Sequence, residues 1–455
     1  MVRSSTFLRR VVEIPLAQFD WTLSRTAGTT DRAAPRRWAA ADTDGSSAVA
    51  TSYPVHKINF LLLENINETA REAIAGEGFH VETIPGSLRE DELLARIRDV
   101  HVLGIRSKTR VTARVVAEAR RLLAVGCFCI GTNQVDLAAA NQRGVPVFNA
   151  PFSNTRSVAE LVIAEIIALA RQLGDRSREV HEGRWRKVAA GSFEVRGKTL
   201  GIVGYGHIGS QVGVLAEALG MQVIFFDVGS KLAMGNNTRA ASLEELLRSA
   251  DFVTLHVPAT PQTKEMIGPE ELQAMRKGSY LLNASRGTVV VLPALAEAIR
   301  SGHLAGAAVD VYPEEPESNG EGFVTPLRGL PNVILTPHVA GSTTEAQASI
   351  GREVAGTLIE LMNAGATTGA VNFPQVELPK TEGLHRILNS HRNVPGVLRD
   401  INRIVSERNA NIRSQVLATD PNVGYLIMDL EQDVSDEVRA AIAALETSIK
   451  TRILY

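Results

Sequence analysis

A glycine-rich run occupies residues 199–209 and reads Thr199-Leu-Gly-Ile-Val-Gly-Tyr-Gly-His-Ile-Gly209. Its apolar first half predicts a buried strand, and residues Gln211 to Leu219 have the pattern of a helix. Between these elements lies a G-x-G-x-x-G motif formed by Gly204, Gly206 and Gly209, and Asp227 follows at the end of the next strand. Such a turn brings backbone N–H groups close to a pyrophosphate, while the carboxylate accepts bonds from ribose hydroxyls. The pattern predicts a dinucleotide site, and the acid favours NAD because it repels a 2′-phosphate.

The flanking sequence repeats this alternation of strands and helices. Short apolar strands alternate with helical patterns from Lys57 to Phe148, and a long helix follows at about Thr155 to Leu173. A second series begins at Lys198, with strands that end near Asp227, His256, Ala284, Val311 and Thr336. We therefore expect two doubly wound, Rossmann-like α/β domains with parallel sheets and a cleft between them.

The two ends of the chain have a different character. Residues 1–52 are rich in Arg, Ser and small side chains without periodicity, which predicts a disordered leader. Prolines mark a linker at 374–383, and residues 384–455 follow the order strand, helix, strand, strand, helix, strand. This order predicts a separate, small α+β module of the ferredoxin-like type.

Global composition excludes several classes of partner. A net charge of −2 over 455 residues offers no attraction to nucleic acid or an anionic membrane, and no apolar run is long enough to span a bilayer. The only cysteines, Cys127 and Cys129, lie in one apolar strand pattern, where alternate residues cannot form a disulfide with each other. They indicate buried packing residues in a reducing compartment, no metal site and a cytoplasmic enzyme with a small-molecule substrate.

A dinucleotide site becomes a dehydrogenase when a base removes the hydroxyl proton as hydride leaves, and histidine has a suitable pKa. Two of the ten histidines, His256 and His338, end strands, and position alone does not choose between them. The acidic loop Glu314-Glu315-Pro316 supplies either a carboxylate partner for an imidazole or a solvated turn. Arg286, at another strand end, is the best placed guanidinium for a substrate carboxylate.

Four motifs together resemble the D-isomer-specific 2-hydroxyacid dehydrogenase family: Gly204-Tyr-Gly-His-Ile-Gly209, Asn283-Ala-Ser-Arg-Gly-Thr-Val-Val290, Asp310-Val-Tyr-Pro-Glu-Glu-Pro316 and Thr336-Pro-His338. The resemblance implies that Arg286 binds substrate and polarises its carbonyl, that His338 transfers the proton and that Glu315 pairs with His338. It also implies an NAD site lined by Gly204, Gly206, His207, Ile208, Gly209, Asp227, Ala284, Ser285, Arg286, Asp310, His338, Val339, Ala340 and Gly341.

Further stretches, Gly126 to Asp136 and Asn149 to Glu160, are similar to family members that act on a phosphorylated acid and carry a regulatory ACT module. This closer likeness implies oxidation of 3-phospho-D-glycerate to 3-phosphooxypyruvate, the entry step to serine, with reduction of 2-oxoglutarate to 2-hydroxyglutarate as a second activity. Around the substrate it implies Arg106, Ser107, Asn154 and Gln347. Two alternatives stay open: reduction of hydroxypyruvate or glyoxylate, and an NAD(H)-sensing scaffold similar to transcriptional corepressors.

The same likeness implies the domain plan and the regulation. Residues 53–153 and 338–373 form a discontinuous substrate domain, 154–337 the NAD domain and 384–455 the ACT domain. L-serine is the implied effector, bound by His391, Asn393 and Asn411 at a contact between ACT modules of a homotetramer. From its sequence context alone, Asn393 is equally an ordinary helix N-cap, because it lies shortly before Pro395.

Overall fold

The computed structural model describes residues 54–316, 319–381, 383–431 and 435–454. The leader expected at residues 1–52 lies outside the described residues. No helix in the described ranges is long and apolar enough to cross a membrane.

The first α/β module contains a five-stranded parallel sheet in the order β2-β1-β3-β4-β5. Its strands are β1 (Asn59–Leu63), β2 (His80–Ile84), β3 (Val102–Ile105), β4 (Ala124–Cys127) and β5 (Val147–Asn149). Its helices are α1 (Glu68–Gly76), α2 (Glu90–Arg96), α3 (Ala113–Glu118) and α4 (Leu137–Gln142). All four residues of both β3 and β4 are buried, as expected of central strands covered on both faces.

Two helices, α5 (Thr155–Ala170) and α6 (Leu173–His181), lead to the second module. The first is shorter than its sequence pattern predicts, because Gln172 adopts a left-handed φ of 50° that breaks the helix before Leu173. Its apolar face, with Val158, Val162 and Ile166, packs in one core with Leu200 and Ile202 of the second sheet.

The second module has a seven-stranded parallel sheet in the order β12-β11-β10-β9-β6-β7-β8. Its strands are β6 (Thr199–Val203), β7 (Gln222–Phe226), β8 (Thr238–Arg239), β9 (Phe252–Leu255), β10 (Tyr280–Asn283), β11 (Gly306–Val309) and β12 (Val333–Leu335). Its helices are α7 (His207–Ala218), α8 (Leu243–Ser249), α9 (Pro269–Ala274) and α10 (Leu292–Arg300). The strand order reverses between β6 and β9, and open α/β sheets bind ligands at the carboxyl ends of such strands.

After β12 the long helix α11 (Thr344–Ala364) packs against the first sheet. Its buried residues Ile350, Val354 and Leu358 share one core with Phe60 and Phe148. The helix lies within residues 338–373, the second segment of the expected substrate domain, and it contacts the first module.

The third module is an antiparallel sheet in the order β14-β15-β13-β16 with two helices. Its elements are β13 (His385–Arg392), α12 (Val397–Glu407), β14 (Ile412–Thr419), β15 (Val423–Leu430), α13 (Ser435–Ala443) and β16 (Ser448–Leu454). The expected order of strands and helices, and with it the expected fold class of all three modules, is confirmed.

Contacts with the rest of the chain attach the third module to the first. Leu388, Tyr425 and Leu454 lie in the same core as α11. Arg386 forms a buried, bidentate pair with Asp429 at 2.6 and 2.7 Å, and it also donates to the carbonyl groups of residues 364, 378 and 379. This arginine therefore ties the sheet of the third module to the chain segment that leads into it.

The two cysteines are both free, but they do not share a strand. Cys127 is buried at the end of β4, whereas Cys129 lies beyond the strand and is half-buried. The prediction that both cysteines lie in one strand was therefore wrong for Cys129, because β4 ends at Cys127, three residues before the apolar run ends at Ile130.

Candidate active site

The glycine turn between β6 and α7 has no side chain at its three glycines, which leaves space next to the N-terminus of α7. Gly204 has a φ of 91°, and a side chain on Gly209 would lie 2.1 Å from the Gly204 carbonyl oxygen. Gly206, the N-cap of α7, is different, because a Cβ there would meet no atom within 4 Å. The helix begins at His207, four residues earlier than the sequence pattern predicts, so its free N–H groups lie directly at the turn. This cradle fits a dinucleotide pyrophosphate.

Asp227, at the end of β7, braces the same turn. One carboxyl oxygen accepts the Tyr205 N–H at 2.8 Å, and the other accepts the Gly229 N–H at 2.8 Å. Each oxygen of a carboxylate has a second lone pair, so the group can still accept bonds from ribose hydroxyls. The ring of His207 also contacts Phe152, with ring centroids 3.9 Å apart and ring planes tilted by 41°.

His338 and Glu315 form a hydrogen-bonded pair at the carboxyl edge of the second sheet. The imidazole Nδ1 lies 2.8 Å from one Glu315 oxygen and 3.0 Å from the other. This bond raises the pKa of His338 above its ordinary value, although burial opposes the change. For Glu315 burial acts in the opposite direction and raises the pKa, but bonds from His338 and from the Tyr312 N–H outweigh burial and lower that pKa. The pair leaves the other ring nitrogen, Nε2, for proton exchange.

The loop that carries His338 is held from below by Asp310. This carboxyl group is 1% exposed and accepts bonds from the Val339 and Ala340 N–H groups at 2.9 and 3.0 Å. The Thr336 hydroxyl donates to it at 2.6 Å. Asp310, expected to line the cofactor, thus lies beneath the loop with both oxygens engaged. It fixes a loop in which His338 has a left-handed φ of 56°.

Arg286 follows β10 and is half-buried. Burial lowers the pKa of its guanidinium, and the nearby Cys129 and Glu315 oppose this change. Its turn is organised by Asn283, which accepts bonds from the N–H and hydroxyl groups of Ser285 and donates to the Arg286 carbonyl at 3.1 Å. Cys129 belongs to the first module, so Arg286 lies where the carboxyl edges of the two sheets approach each other.

His256 differs from His338 in its partner. Its Nε2 lies 3.0 Å from the Thr254 hydroxyl, and burial lowers the pKa of the ring to about 3. An imidazole with such a low pKa has little capacity as a base near neutral pH. Of the two histidines that end strands, His338 is therefore the one with the geometry of a proton-transfer group.

The residues expected around the substrate lie on three segments. Arg106 and Ser107 follow β3, and Gln347 is half-buried in α11. Asn154 is 8% exposed, and its Oδ1 accepts no hydrogen bond from the described residues. Its amide nitrogen would lie 2.2 Å from a Cβ on Gly341, so the segments before α5 and before α11 are in close contact.

The three residues expected to bind an effector do not form one site within a single chain. His391 is buried beside Asn389, and Asn393 donates to the Asp420 carbonyl at 2.7 Å. Asn411 donates instead to the Glu431 carboxylate. Its neighbour Ile412 pairs with Leu430 of β15, whereas His391 pairs with Gly424, six residues earlier on the same strand. Six strand residues span about 20 Å.

The N-cap interpretation of Asn393 is wrong. Helix α12 begins at Val397, and its N-cap is Gly396 in a left-handed conformation. The side chain of Asn393 is used instead to hold the turn between β14 and β15. Pro395 and Gly396 lie between Asn393 and the first residue of the helix. An asparagine shortly before a proline therefore did not mark the helix N-cap.

Sequence reasoning missed the residues that support the site from behind. Asn283 shapes the arginine turn, and Tyr312 donates its hydroxyl to the carbonyl groups of Val309 and Thr336 at 3.0 and 3.1 Å. Both belong to motifs quoted above, but their roles depend on contacts between separate strand ends. The available signal was a buried polar residue at a strand end.

Comparisons with known proteins agree with this architecture. A family model described as D-isomer specific 2-hydroxyacid dehydrogenase, NAD binding domain, matches residues 163–340. A second model, the AHAS small subunit-like ACT domain, matches residues 387–450. Among solved structures, the TT0316 protein from Thermus thermophilus has a TM-score of 0.61 at 33% identity, covering 67% of this chain and 97% of that one. D-lactate dehydrogenase from Aquifex aeolicus has a TM-score of 0.59 at 25% identity, covering 67% and 95%.

Similarity to characterised relatives extends over nearly the whole described chain. D-3-phosphoglycerate dehydrogenase of Dictyostelium discoideum is 57% identical over 405 residues, which cover 89% of this chain and 99% of the relative. The enzyme of the same name from Escherichia coli K12 is 51% identical over 402 residues, covering 88% and 98%. The chain therefore belongs to the D-isomer-specific 2-hydroxyacid dehydrogenase family, as an oxidoreductase that uses NAD and carries a C-terminal ACT domain.

Proposed function

We propose that this enzyme oxidises 3-phospho-D-glycerate to 3-phosphooxypyruvate, the first step of L-serine biosynthesis. The observation that carries the proposal is the His338–Glu315 pair placed near Arg286, where the carboxyl edges of the two sheets meet. The names of the relatives, which are 57% and 51% identical, supply the substrate.

His338 is the proposed base. Its Nε2 removes the proton from the substrate hydroxyl, and Glu315 stabilises the imidazolium that forms. NAD held at the glycine turn would supply the hydride acceptor. Arg286 binds the substrate carboxylate and carbonyl oxygen, and the half-buried setting strengthens these bonds.

The proposed cofactor site combines the glycine turn with the neighbouring strand ends. The turn receives the pyrophosphate, and Asp227 receives the adenine ribose. The remaining proposed cofactor contacts are Gly204, Gly206, His207, Ile208, Gly209, Ala284, Ser285, Arg286, Asp310, His338, Val339, Ala340 and Gly341.

The proposed substrate contacts on the other side of the cleft are Arg106, Ser107, Asn154 and Gln347. A buried acceptor without a protein partner among the described residues, the Oδ1 of Asn154, suits a hydrogen bond from a ligand. Arg106 adds a guanidinium for the phosphate. We include 2-oxoglutarate as a second substrate, because it is also an α-keto acid with a remote anionic group.

We further propose feedback inhibition by L-serine at the ACT domain, in a homotetramer located in the cytoplasm. His391 pairs with a residue near the start of β15, whereas Asn411 lies beside its end. A site that uses both residues therefore requires two copies of the module. Self-association is also supported by exposed apolar side chains on and after α6, including Leu173, Val180 and Trp185, which is 84% exposed. The free thiols of Cys127 and Cys129 fit a reducing compartment.

One assay tests the substrate. Initial rates are measured with 3-phosphooxypyruvate, hydroxypyruvate, glyoxylate and 2-oxoglutarate, each with NADH. We expect the highest kcat/KM with 3-phosphooxypyruvate, and a clear preference for hydroxypyruvate or glyoxylate contradicts the proposal.

A variant tests the chemistry. His338→Ala should lower kcat by about 10²- to 10⁴-fold, the usual contribution of general acid–base catalysis. The Kd of NADH, followed by fluorescence, should change far less than kcat, because the glycine turn proposed to bind the pyrophosphate is untouched. Full turnover in this variant would remove His338 from its role as the base, whereas a wild type that binds NADH but reduces none of the four 2-oxo acids would favour the NAD(H)-sensing scaffold.

A further inference from the structure

The loop after β3, residues 106–109, is held from both sides by side chains of the neighbouring strand ends. In the first sheet, β3 lies between β1 and β4, and all three strands are parallel. Their carboxyl ends therefore meet at one edge of the sheet. Residues that follow β1 and β4 can reach the loop from opposite directions.

Glu64 holds the loop from the β1 side. Its carboxyl oxygens accept bonds from the Thr109 N–H at 2.7 Å and the Lys108 N–H at 3.0 Å, and the residue is 8% exposed. In return, the Arg106 guanidinium donates to the Glu64 carbonyl at 3.4 Å. Glu64 also has a φ of 63°, a conformation that a glutamate rarely adopts outside constrained sites.

Gln134 holds the loop from the β4 side. This side chain is 6% exposed, and its amide donates to the Arg106 carbonyl at 2.6 Å. A second bond to the Gly131 carbonyl, at 3.1 Å, fixes the amide itself. Gln134 therefore holds the start of the loop through the Arg106 carbonyl, and Glu64 holds its end through the N–H groups of residues 108 and 109.

The loop lies on the side of the first sheet that faces the catalytic groups. Cys129 contacts the Arg106 carbonyl with its sulfur at 3.5 Å. Burial raises the pKa of the Cys129 thiol to about 11, and the nearby Arg106 and Arg286 guanidinium groups oppose this rise. Arg106 belongs to the first module and Arg286 to the second, and both guanidinium groups act on the same thiol.

We propose that Glu64 and Gln134 are positioning residues that set the place of Arg106 opposite Arg286, so that the two guanidinium groups receive the two anionic ends of the substrate. The inference rests on the proposed function. Neither residue contacts the reacting atoms, and each acts through the backbone of the loop.

Isosteric variants test the proposal from both sides. Glu64→Gln turns an amide NH2 toward the N–H groups of the loop, and Gln134→Glu places an acceptor against the Arg106 carbonyl. Each should lower kcat/KM for 3-phosphooxypyruvate by about 10- to 100-fold, as expected when a binding group is displaced by about 1 Å. The Kd of NADH, measured without substrate, should stay within about twofold, because the cofactor site lies on the second module.

A double-mutant cycle separates positioning from general destabilisation. When Glu64→Gln is added to Arg106→Ala, kcat/KM should fall by less than about twofold more, because the group that Glu64 positions is already absent. Full multiplication of the two losses overturns the proposal, as does wild-type kcat/KM in both single variants. Glu82→Gln, on the exposed strand β2, is the matched control and should behave as wild type.

Two outcomes, a destabilised variant and a wild type without the expected activity, are distinguished as follows. If Glu64→Gln lowers the melting temperature strongly, Gln134→Glu in the same cycle carries the decision. A wild type that does not reduce 3-phosphooxypyruvate contradicts the proposed function first, and the cycle is then run with the 2-oxo acid that it does reduce.

Discussion

The pKa values of individual groups in this enzyme depend on burial and on the carboxyl groups around them. His338 is a histidine at a strand end, as is His256, but only His338 lies beside a carboxyl group. The bond to Glu315 raises the pKa of His338, whereas burial lowers the pKa of His256, so the two values move in opposite directions. A second carboxyl group, Asp310, holds the loop on which His338 stands.

Removing the charge of Glu315 should move the pH profile of the enzyme. Because Glu315 raises the pKa of His338, the neutral base forms only at higher pH in the wild type. In Glu315→Gln we expect the acidic limb of kcat/KM for alcohol oxidation to shift to lower pH, with a roughly 10- to 100-fold lower maximum. The measurement is a set of initial rates across pH, with Glu314→Gln as the control. A limb that stays in place contradicts the assignment of His338 as the base.

Glu165 offers a prediction about stability. It is 4% exposed in α5, its Oε1 has no hydrogen-bond partner in the described residues, and burial, with the nearby Asp310, raises its pKa to about 8. An unfolded glutamate titrates near about pH 4.3, so between that pH and about 8 the folded state binds the extra proton. Folding stability should therefore fall as pH rises through this window, by up to about 1.4 kcal/mol per pH unit from this group.

Glu165→Gln removes this dependence. Urea unfolding at several pH values should show the variant gaining on the wild type as pH rises from about 5 to about 8. Glu160→Gln, an exposed residue of the same helix that pairs with Arg156, is the control and should follow the wild type. Parallel pH curves for wild type and Glu165→Gln would refute a protonated Glu165 at neutral pH.

At the scale of elements, the strand, turn and helix at residues 199–218 could be predicted because each requirement is local. An apolar run forms β6, and glycines are needed where backbone approaches backbone. The helix start was placed four residues too late, because His207, Ile208 and Gly209 were read as part of the turn. Gly209 lies inside the first helical turn, where its lack of a side chain is required by the Gly204 carbonyl.

The two glycines of this element should respond differently to alanine. Gly209→Ala places a Cβ 2.1 Å from a backbone oxygen, so it should lower the melting temperature and abolish NADH binding together. Gly206→Ala has open space for its Cβ and should leave the melting temperature nearly unchanged while raising the Kd of NADH about tenfold or more, by obstructing the pyrophosphate. Thermal unfolding and fluorescence titration measure both, and equal effects of the two variants on folding contradict the prediction.

In the whole molecule, the ACT domain packs against the first module through direct hydrogen bonds. Tyr425 donates its hydroxyl to the Gly365 carbonyl at 2.8 Å, and Asn141 donates to Asp420 at 2.6 Å. Asp420 also accepts, through its carbonyl, the bond from Asn393. The turn to which the proposed effector residue Asn393 is bonded therefore contacts the first module directly.

Regulation should depend on that turn. We expect L-serine to inhibit the wild type and to have little effect on Asn393→Ala, because the amide that holds the site is lost. Initial rates with increasing L-serine measure this, and Asn402→Ala on α12 is the control. Equal inhibition of wild type and Asn393→Ala removes Asn393 from the effector site, and no inhibition of the wild type contradicts serine feedback itself. An effector can act only through different affinities for two states of the enzyme.

From the amino-acid sequence alone we could predict the order of strands and helices, the glycine turn with Asp227 and the motifs that place the chain in its family. These depend on periodicity and on the backbone freedom of single residues, which are local properties. Three features could be found only in the folded chain. Asp310 lies beneath the His338 loop, and Glu64 and Gln134 bind the loop of Arg106. Asn411 lies far from His391 within one chain. These contacts join the ends of different strands, and sheet order and register, which no single segment encodes, bring them together.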